Sequence, residues 1–466
     1  MEPITLQEIL TATGGTLLGG SQDLSTVITA VDTDSRAMAG GSLFVPLVGE
    51  RFDGHAYIDS ALATAAGTLT QRPLERYAPD RFYVLVEDTM RALGDLARYY
   101  RHKFQIKVVG ITGSVGKTTC KDMVASVLSA HFRVLKTDGN FNNNIGVPKT
   151  LFRLDSSHQV AVIEMGMNHL GEIDYLTNIV NPDVAIITNI GDAHIENLGS
   201  RENTLKAKSE IFNGMNGKGV AVLNGDDPLL STLSGKLEQQ ILWYGWDNRC
   251  DFGCADLDEQ FDDHIVMEVR SPQGQWRQAI PGLGSHMIYP ALAAIAVGSW
   301  FGMSAEEIRR GILNFVPTKM RMDRMTLPGG VTVLNDTYNA NPQSMRAAVE
   351  VLSKASGSYK VAVLGDMLEL GELGPTLHES VGRFVGQCGI DCLLAVGDLA
   401  EHIYNGALKA GIAECYTRPN KEEAKVVLEH IVRPGCTILC KASRGMRLEE
   451  LVDYIKELTA SEFRET

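Results

Sequence analysis

Lys107-Val-Val-Gly-Ile-Thr-Gly-Ser-Val-Gly-Lys-Thr-Thr119 is the stretch on which the reading of this chain turns. A short apolar run leads into a glycine-rich loop, and behind the loop Met123, Val124, Val127 and Leu128 recur at helical spacing. Strand, glycine loop, Lys-Thr and helix together make a phosphate cradle. Backbone N–H groups of Gly113, Ser114, Val115 and Gly116 can approach phosphate oxygens, and the helix N-terminus adds positive potential. Lys117 reaches the terminal phosphates, and Thr118, followed by Thr119, offers a hydroxyl to Mg²⁺. The fit to G-x-x-x-x-G-K-[ST] is imperfect, because Gly110 stands one residue too early. The competing reading is a glycine-rich turn that holds no ligand, and Lys-Thr at the helix start weighs against it. A nucleoside triphosphate such as ATP is the expected ligand.

Outward from this loop, the 466 residues are enough for two to four domains with sizeable cores. With 43 basic and 57 acidic residues the net charge is −14, which argues against nucleic acid and against an anionic membrane surface as partners. Phosphate must then be held by local loops. No apolar run approaches the ~18 residues of a membrane helix, and MEPITLQEIL lacks the basic and apolar regions of a signal peptide. The expectation is a cytoplasmic protein without membrane insertion. Three pairs of the eight cysteines are spaced C-x-x-x-C, not the C-x-x-C of zinc or redox sites, and reduced thiols are expected.

Along the chain, the fold class reads as α/β in three domains. Residues 1–103 form a first α/β unit, with a strand over Leu43–Leu47, a helix over Tyr57–Ala66 and a second helix over Thr89–Tyr100. Its polar clusters Asp34-Ser35-Arg36 and Asp53-Gly54-His55 are ordinary turn chemistry on their own. Residues 104–317 carry the loop of Lys117, and the β-branched runs Val160–Ile163, Val184–Ile187 and Val220–Leu223 read as buried parallel strands. GNFNNNIGVP, EMGMN and NIGDAHIENLG follow strands, at the sheet edge where ligands gather. Residues 237–281 read as peripheral strands. Residues 318–466 show four strand–turn units, a second doubly wound, Rossmann-like sheet without a phosphate loop.

Several residues along that edge could carry chemistry. Glu164 can hold Mg²⁺ or cap a helix. His194 is even between a structural and a functional role. Lys206 and Lys208, in TLKAKSEIF, read from spacing alone as solvated lysines. Asp336 could reach a ribose hydroxyl across a cleft. Arg321 and Arg324, just past the domain boundary, could swing onto a transferring phosphate or remain surface charges.

Taken together, TGSVGKTT, GNFNNNIGVP, EMGMN, GDAHIENLG with KAKSEIF, and NDTYNANPQSM resemble, in this order, the Mur ligase family. These ATP-dependent amide-forming enzymes build the peptide stem of peptidoglycan precursors, and their loop pattern, G-x-T-G-[ST]-x-G-K-[TS], accounts for the early glycine. DTYNANPQSM and LGDMLELG before His378 are most similar to the last ligase of the series. That enzyme adds D-alanyl-D-alanine to UDP-N-acetylmuramoyl-tripeptide through an acyl phosphate. The segment DSRAMAGGSLFVPLVGERFDGH resembles a uridine-nucleotide domain.

The resemblance implies roles for individual residues. Lys117 would hold the β- and γ-phosphates, and Thr118 and Glu164 one Mg²⁺. His194 and a CO₂-carbamylated Lys208 would serve a second Mg²⁺. Asn144 would lie near the nucleotide, Arg321 near the γ-phosphate and Asp336 near the ribose. Substrate contacts would come from Ser35, Arg36, Asp53, Gly54, His55, Asn339 and Asn341, in a monomer. Met287 and Pro290 depart from the family's adenine-contacting asparagines, and Met320 replaces its usual glycine before the linker arginine. Another Mur or folylpolyglutamate-type ligase, or a regulatory ATP-binding protein, are the alternatives.

Overall fold

The structure is a computed structural model that describes residues 1–463, apart from 194, 216, 218 and 260–262. Three large sheets follow one another along the chain, beside two small two-stranded ones. The first has five strands in the order Thr16–Leu17, Phe82–Leu85, Gly67–Thr70, Ser42–Phe44 and Ala30–Asp32. It is parallel except at the Thr16–Leu17 edge. The strand expected to reach Leu47 stops at Phe44, two residues before Pro46, which has no N–H for a ladder. The helix expected over Tyr57–Ala66 is shorter, a 3₁₀ turn Gly54–Tyr57 running into Ile58–Leu62. The chain must turn there to enter the strand Gly67–Thr70.

The second sheet has nine strands, with Lys107–Thr112 between Val160–Glu164 and Val184–Ile187. The β-branched runs lie where burial on both faces demands them, and all three neighbours pair in parallel. Residues 237–281, expected as peripheral strands, supply the outer strands at one edge of this sheet. Gln240–Gly245 and Phe252–Asp258 extend the parallel sheet, and His264–Ser271 with Gly274–Pro281 close it as an antiparallel hairpin. The third sheet has six strands, five parallel and the edge strand Asp323–Thr326 antiparallel.

How the cores join decides how the units behave. One apolar cluster runs from Ile4, Leu6 and Val84 of the first unit through Leu96 and Tyr100 to Val108, Leu176 and Leu223 beside the second sheet. The helix Thr89–His102 is the seam. Its Tyr100 hydroxyl donates to the Leu154 carbonyl at 2.6 Å, and the buried Arg101 guanidinium donates to the carbonyls of Val180, Phe104 and Ile106. The third sheet has its own cluster on each face, and the central unit reaches into one of them with Ile195. All eight cysteines are free thiols. Among the described residues no helix is long and apolar enough to cross a membrane.

Candidate active site

The loop between the strand Lys107–Thr112 and the helix Lys117–Ser129 owes its shape to two glycines. Gly113 has φ +148°, and a Cβ there would lie 1.9 Å from Thr188 Oγ1; Gly116 has φ +79°. Gly110, the early glycine, lies in the strand, where a Cβ would meet Met165 Cε at 2.7 Å. It serves packing, not the loop. The loop is clamped from the neighbouring strand end. Thr188 Oγ1 donates to the Val115 carbonyl at 2.6 Å, Asn189 Oδ1 accepts from the Val115 N–H at 2.9 Å, and the Ser114 N–H donates to the Asn189 carbonyl.

Charged groups converge around the helix start. Lys117 folds back, its Nζ donating to the Gly113 carbonyl at 2.8 Å. Burial holds its pKa below the ordinary lysine value, with Arg321 adding to that and Glu164 opposing it. Glu164 ends its strand 1% exposed. Its Oε1 accepts from Asn142 Nδ2 at 2.8 Å, while Oε2 is buried with no hydrogen-bond partner among the described residues. A carboxylate oxygen left bare in a low-dielectric site is costly unless a cation or donor meets it. Lys208 is also 1% exposed and has no ion-pair or hydrogen-bond partner among the described residues. Burial first, and the charge of Lys117 second, push its pKa far down. The solvated reading therefore holds for Lys206, which is exposed, and fails for Lys208. The helix Arg201–Ser209 turns the two residues onto different faces.

A cleft of about 650 Å³ opens between the second and third units. Gly116, Lys117, Thr118, Thr119, Asn144 and Glu164 line one side, and Arg321, Asp336, Asn339 and Asn341 the other. Arg321 crosses it, its Nη2 donating to Thr118 Oγ1 at 3.0 Å. Asp336 faces the cleft with its carboxylate already engaged: Lys441 Nζ lies 2.6 Å from Oδ2, and the Met322 N–H donates to Oδ1. The Asn341 side chain caps the helix Pro342–Lys354. Asn142, Tyr338 and Lys441 reach the cleft without having been singled out. Asn142 is one of four asparagines in the five residues 140–144, and Lys441 closes an apolar strand far along the chain.

On the other flank of Gly116 and Thr119 lies a second hollow of about 600 Å³, walled by Asn224, Asp226, Tyr244, Tyr289, Pro290 and Gln343. The two departures from the asparagine pattern part company here, since Met287 faces the first cleft and Pro290 the second hollow.

The first unit's candidates do not line the cleft. Arg36 is exposed and forked onto Asp34, at 2.9 and 2.8 Å, and Ser35 begins the same 3₁₀ turn. His55 is buried, with Nδ1 2.6 Å from Asp53 Oδ1 and Nε2 accepting from the Gln71 N–H at 3.0 Å. The His55 backbone N–H, with its ring and Arg72, lowers the Asp53 carboxyl pKa to about 2, and the Nε2 bond staples the turn beginning at Gly54 to the neighbouring strand. Both ring nitrogens are thus committed within the unit. His194 lies outside the described residues.

Mur ligase sequence profiles match three stretches in order: the family's catalytic domain over residues 27–101, its middle domain over 111–298 and its glutamate ligase domain over 320–444. The chain belongs to the Mur ligase family. ATP dependence is typical of Mur ligases, and the phosphate loop is its expected seat. The chain is similar over its whole length to the UDP-N-acetylmuramoyl-tripeptide–D-alanyl-D-alanine ligase of Bacillus subtilis, 40% identical across 97% of this chain and 98% of that one. Among solved Mur ligases, MurF of Acinetobacter baumannii superposes with a TM-score of 0.90 at 34% identity, covering 98% of this chain and 99% of that one. MurF of Thermotoga maritima, solved in complex with ADP, superposes at 0.84 with 28% identity, covering 93% of this chain and 98% of that one.

Proposed function

We propose that this Mur ligase joins D-alanyl-D-alanine to UDP-N-acetylmuramoyl-tripeptide at the expense of ATP, in peptidoglycan precursor synthesis. The observation that carries the reading is the end-to-end match to ligases of that name, with no unit of the chain left over. In this reading residues 1–103 take the uridine nucleotide, 104–317 ATP, and 318–466 the dipeptide, in a cytoplasmic monomer.

Condensing a carboxylate with an amine in water is uphill, so the tripeptide carboxylate is first phosphorylated. It attacks the γ-phosphorus and ADP leaves; the dipeptide amine then attacks the acyl phosphate carbonyl and phosphate leaves. Both steps crowd anions together, and this chain supplies cations at that place. Lys117 neutralises the terminal phosphates from the loop side and Arg321 from the third unit. Loop N–H groups at the helix start orient the phosphate chain.

The bare Glu164 Oε2 and the Thr118 hydroxyl are hard oxygen donors of the kind Mg²⁺ takes. Bound there, Mg²⁺ would offset the charge repulsion between carboxylate and phosphate. Lys208, buried and with its pKa pushed well below the ordinary lysine value by burial and by Lys117, suits carbamylation. Its free amine adds to CO₂, a C–N bond forms and a proton leaves, so the residue becomes an anion. That carbamate and His194 would serve a second Mg²⁺.

Phosphate release from MgATP tests the reading. It is expected only when the nucleotide tripeptide and D-alanyl-D-alanine are both present, with one amide formed per phosphate. Release that ignores the dipeptide, or that follows a single amino acid in its place, rules the proposal out.

A further inference from the structure

We propose that Tyr338 is a positioning residue for ligation, holding the Arg321 guanidinium in the orientation that presents it to the transferring phosphate. The inference rests on the ligase reading above. The Arg321 guanidinium carbon lies 4.2 Å from the centre of the Tyr338 ring, a stacked cation–π contact. One arm, Nη2, donates to Thr118 Oγ1 at 3.0 Å, and Nε is buried without a partner among the described residues, a donor left over for a ligand in the cleft. Among the described residues the Tyr338 hydroxyl has no hydrogen-bond partner, so the ring face is what acts.

The backbone around the pair is pinned in the same sense. Met320 and Met322, on either side of Arg321, have φ +62° and +54°, the left-handed region that bulky side chains rarely adopt. Each is held there by the segment that bears Tyr338. The Tyr338 N–H donates to the Met320 carbonyl, and the Met322 N–H donates to Asp336, which Lys441 fixes in turn. Lys441 Nζ also donates to the Asn339 carbonyl at 2.8 Å. An arginine has several free torsions to lose on ordering. Here one short segment, 336–339, fixes both its backbone and its guanidinium before any substrate arrives, which is the preorganisation a charge-stabilising group requires.

A double-mutant cycle tests this, using Tyr338→Leu, Tyr338→Phe, Arg321→Ala and the Leu/Ala pair. The readouts are steady-state ligation, calorimetric affinity for a non-hydrolysable ATP analogue, and thermal melting to show folding. Tyr338→Leu is expected to lower kcat about tenfold while KM for ATP and analogue affinity stay within about twofold. Tyr338→Phe keeps most of the rate, and in the Arg321→Ala background Tyr338→Leu adds nothing further. If Tyr338→Leu does not fold, Tyr338→Gln carries the same comparison. An equal loss in the Arg321→Ala background, or a fall in analogue affinity matching the fall in rate, overturns the proposal, since the ring would then act on the nucleotide itself. Failure of the ligase reading shows separately, as a wild type without dipeptide-dependent phosphate release, and takes this proposal with it.

Discussion

Two lysines whose charges reach one another do different things. Lys117 is tied to its own loop by the Gly113 carbonyl, ready to exchange that oxygen for phosphate. Its replacement by alanine is expected to lower kcat/KM on the order of a hundredfold while the melting temperature barely moves. Steady-state ligation beside a thermal melt checks both. Lys208 is buried with no pairing partner among the described residues, and burial of an unpaired cation drives its pKa down. Lys208→Ala should be inactive, with part of the rate restored by acetate, which replaces the missing carbamate. Full activity without added acid would falsify the carbamate assignment. Lys117 was legible because one short motif holds the whole phosphate loop. The burial of Lys208 was not, because two lysines two residues apart look alike until a helix face is assigned.

Among the elements, those buried on both faces could be read directly. Val160–Ile163, Val184–Ile187 and Val220–Leu223 are continuous apolar runs, as parallel strands covered by helices must be. The edge strands Asp323–Thr326 and Glu414–Arg418 escaped notice, being half-buried along their length, with charged residues interleaved. Their strand character comes from a neighbour's ladder, not from their own pattern. The linker between the second and third units is read the same way, from what holds it. Met320 occupies a left-handed position at a cost of about 1–2 kcal/mol. A β-branched side chain fits that region worst. Met320→Val should therefore lower both stability and kcat, whereas Met320→Gly should keep them near wild type. Chemical unfolding and ligation rates on the two variants decide it; equal behaviour means the linker backbone carries no constraint.

For the whole molecule, three α/β units in the order read from the chain are present, but the sequence could not show which of them move together. That depends on contacts between residues far apart, such as Tyr100 with Leu154 and Arg101 with Val180. The first two units share a core, while the third keeps its own and meets the central unit through Ile195, Leu283 and polar contacts, Thr318 with Asp122 and Arg321 with Thr118 among them. Unfolding should then proceed in two steps, the third unit first. All four tryptophans, Trp243, Trp246, Trp276 and Trp300, lie beside the central sheet. Their fluorescence is expected to change at higher denaturant than the far-ultraviolet circular dichroism, which sees every unit. Coincident curves would mean the interface is as strong as the cores.

The seam between the first two units also bears on how the chain is made. Its shared core draws on residues from Ile4 to Leu233, so the first sheet cannot bury its inner face when its last strand, Phe82–Leu85, has been synthesised. At roughly 5–20 residues per second, about 10–50 s pass between the emergence of Ile4 and of Leu233, before the whole of that core is available. During that interval the nascent first unit carries an open hydrophobic face. Synthesis of this ligase therefore has a stage at which a chaperone, or simply a low concentration of neighbouring chains, decides how much of it reaches the native state.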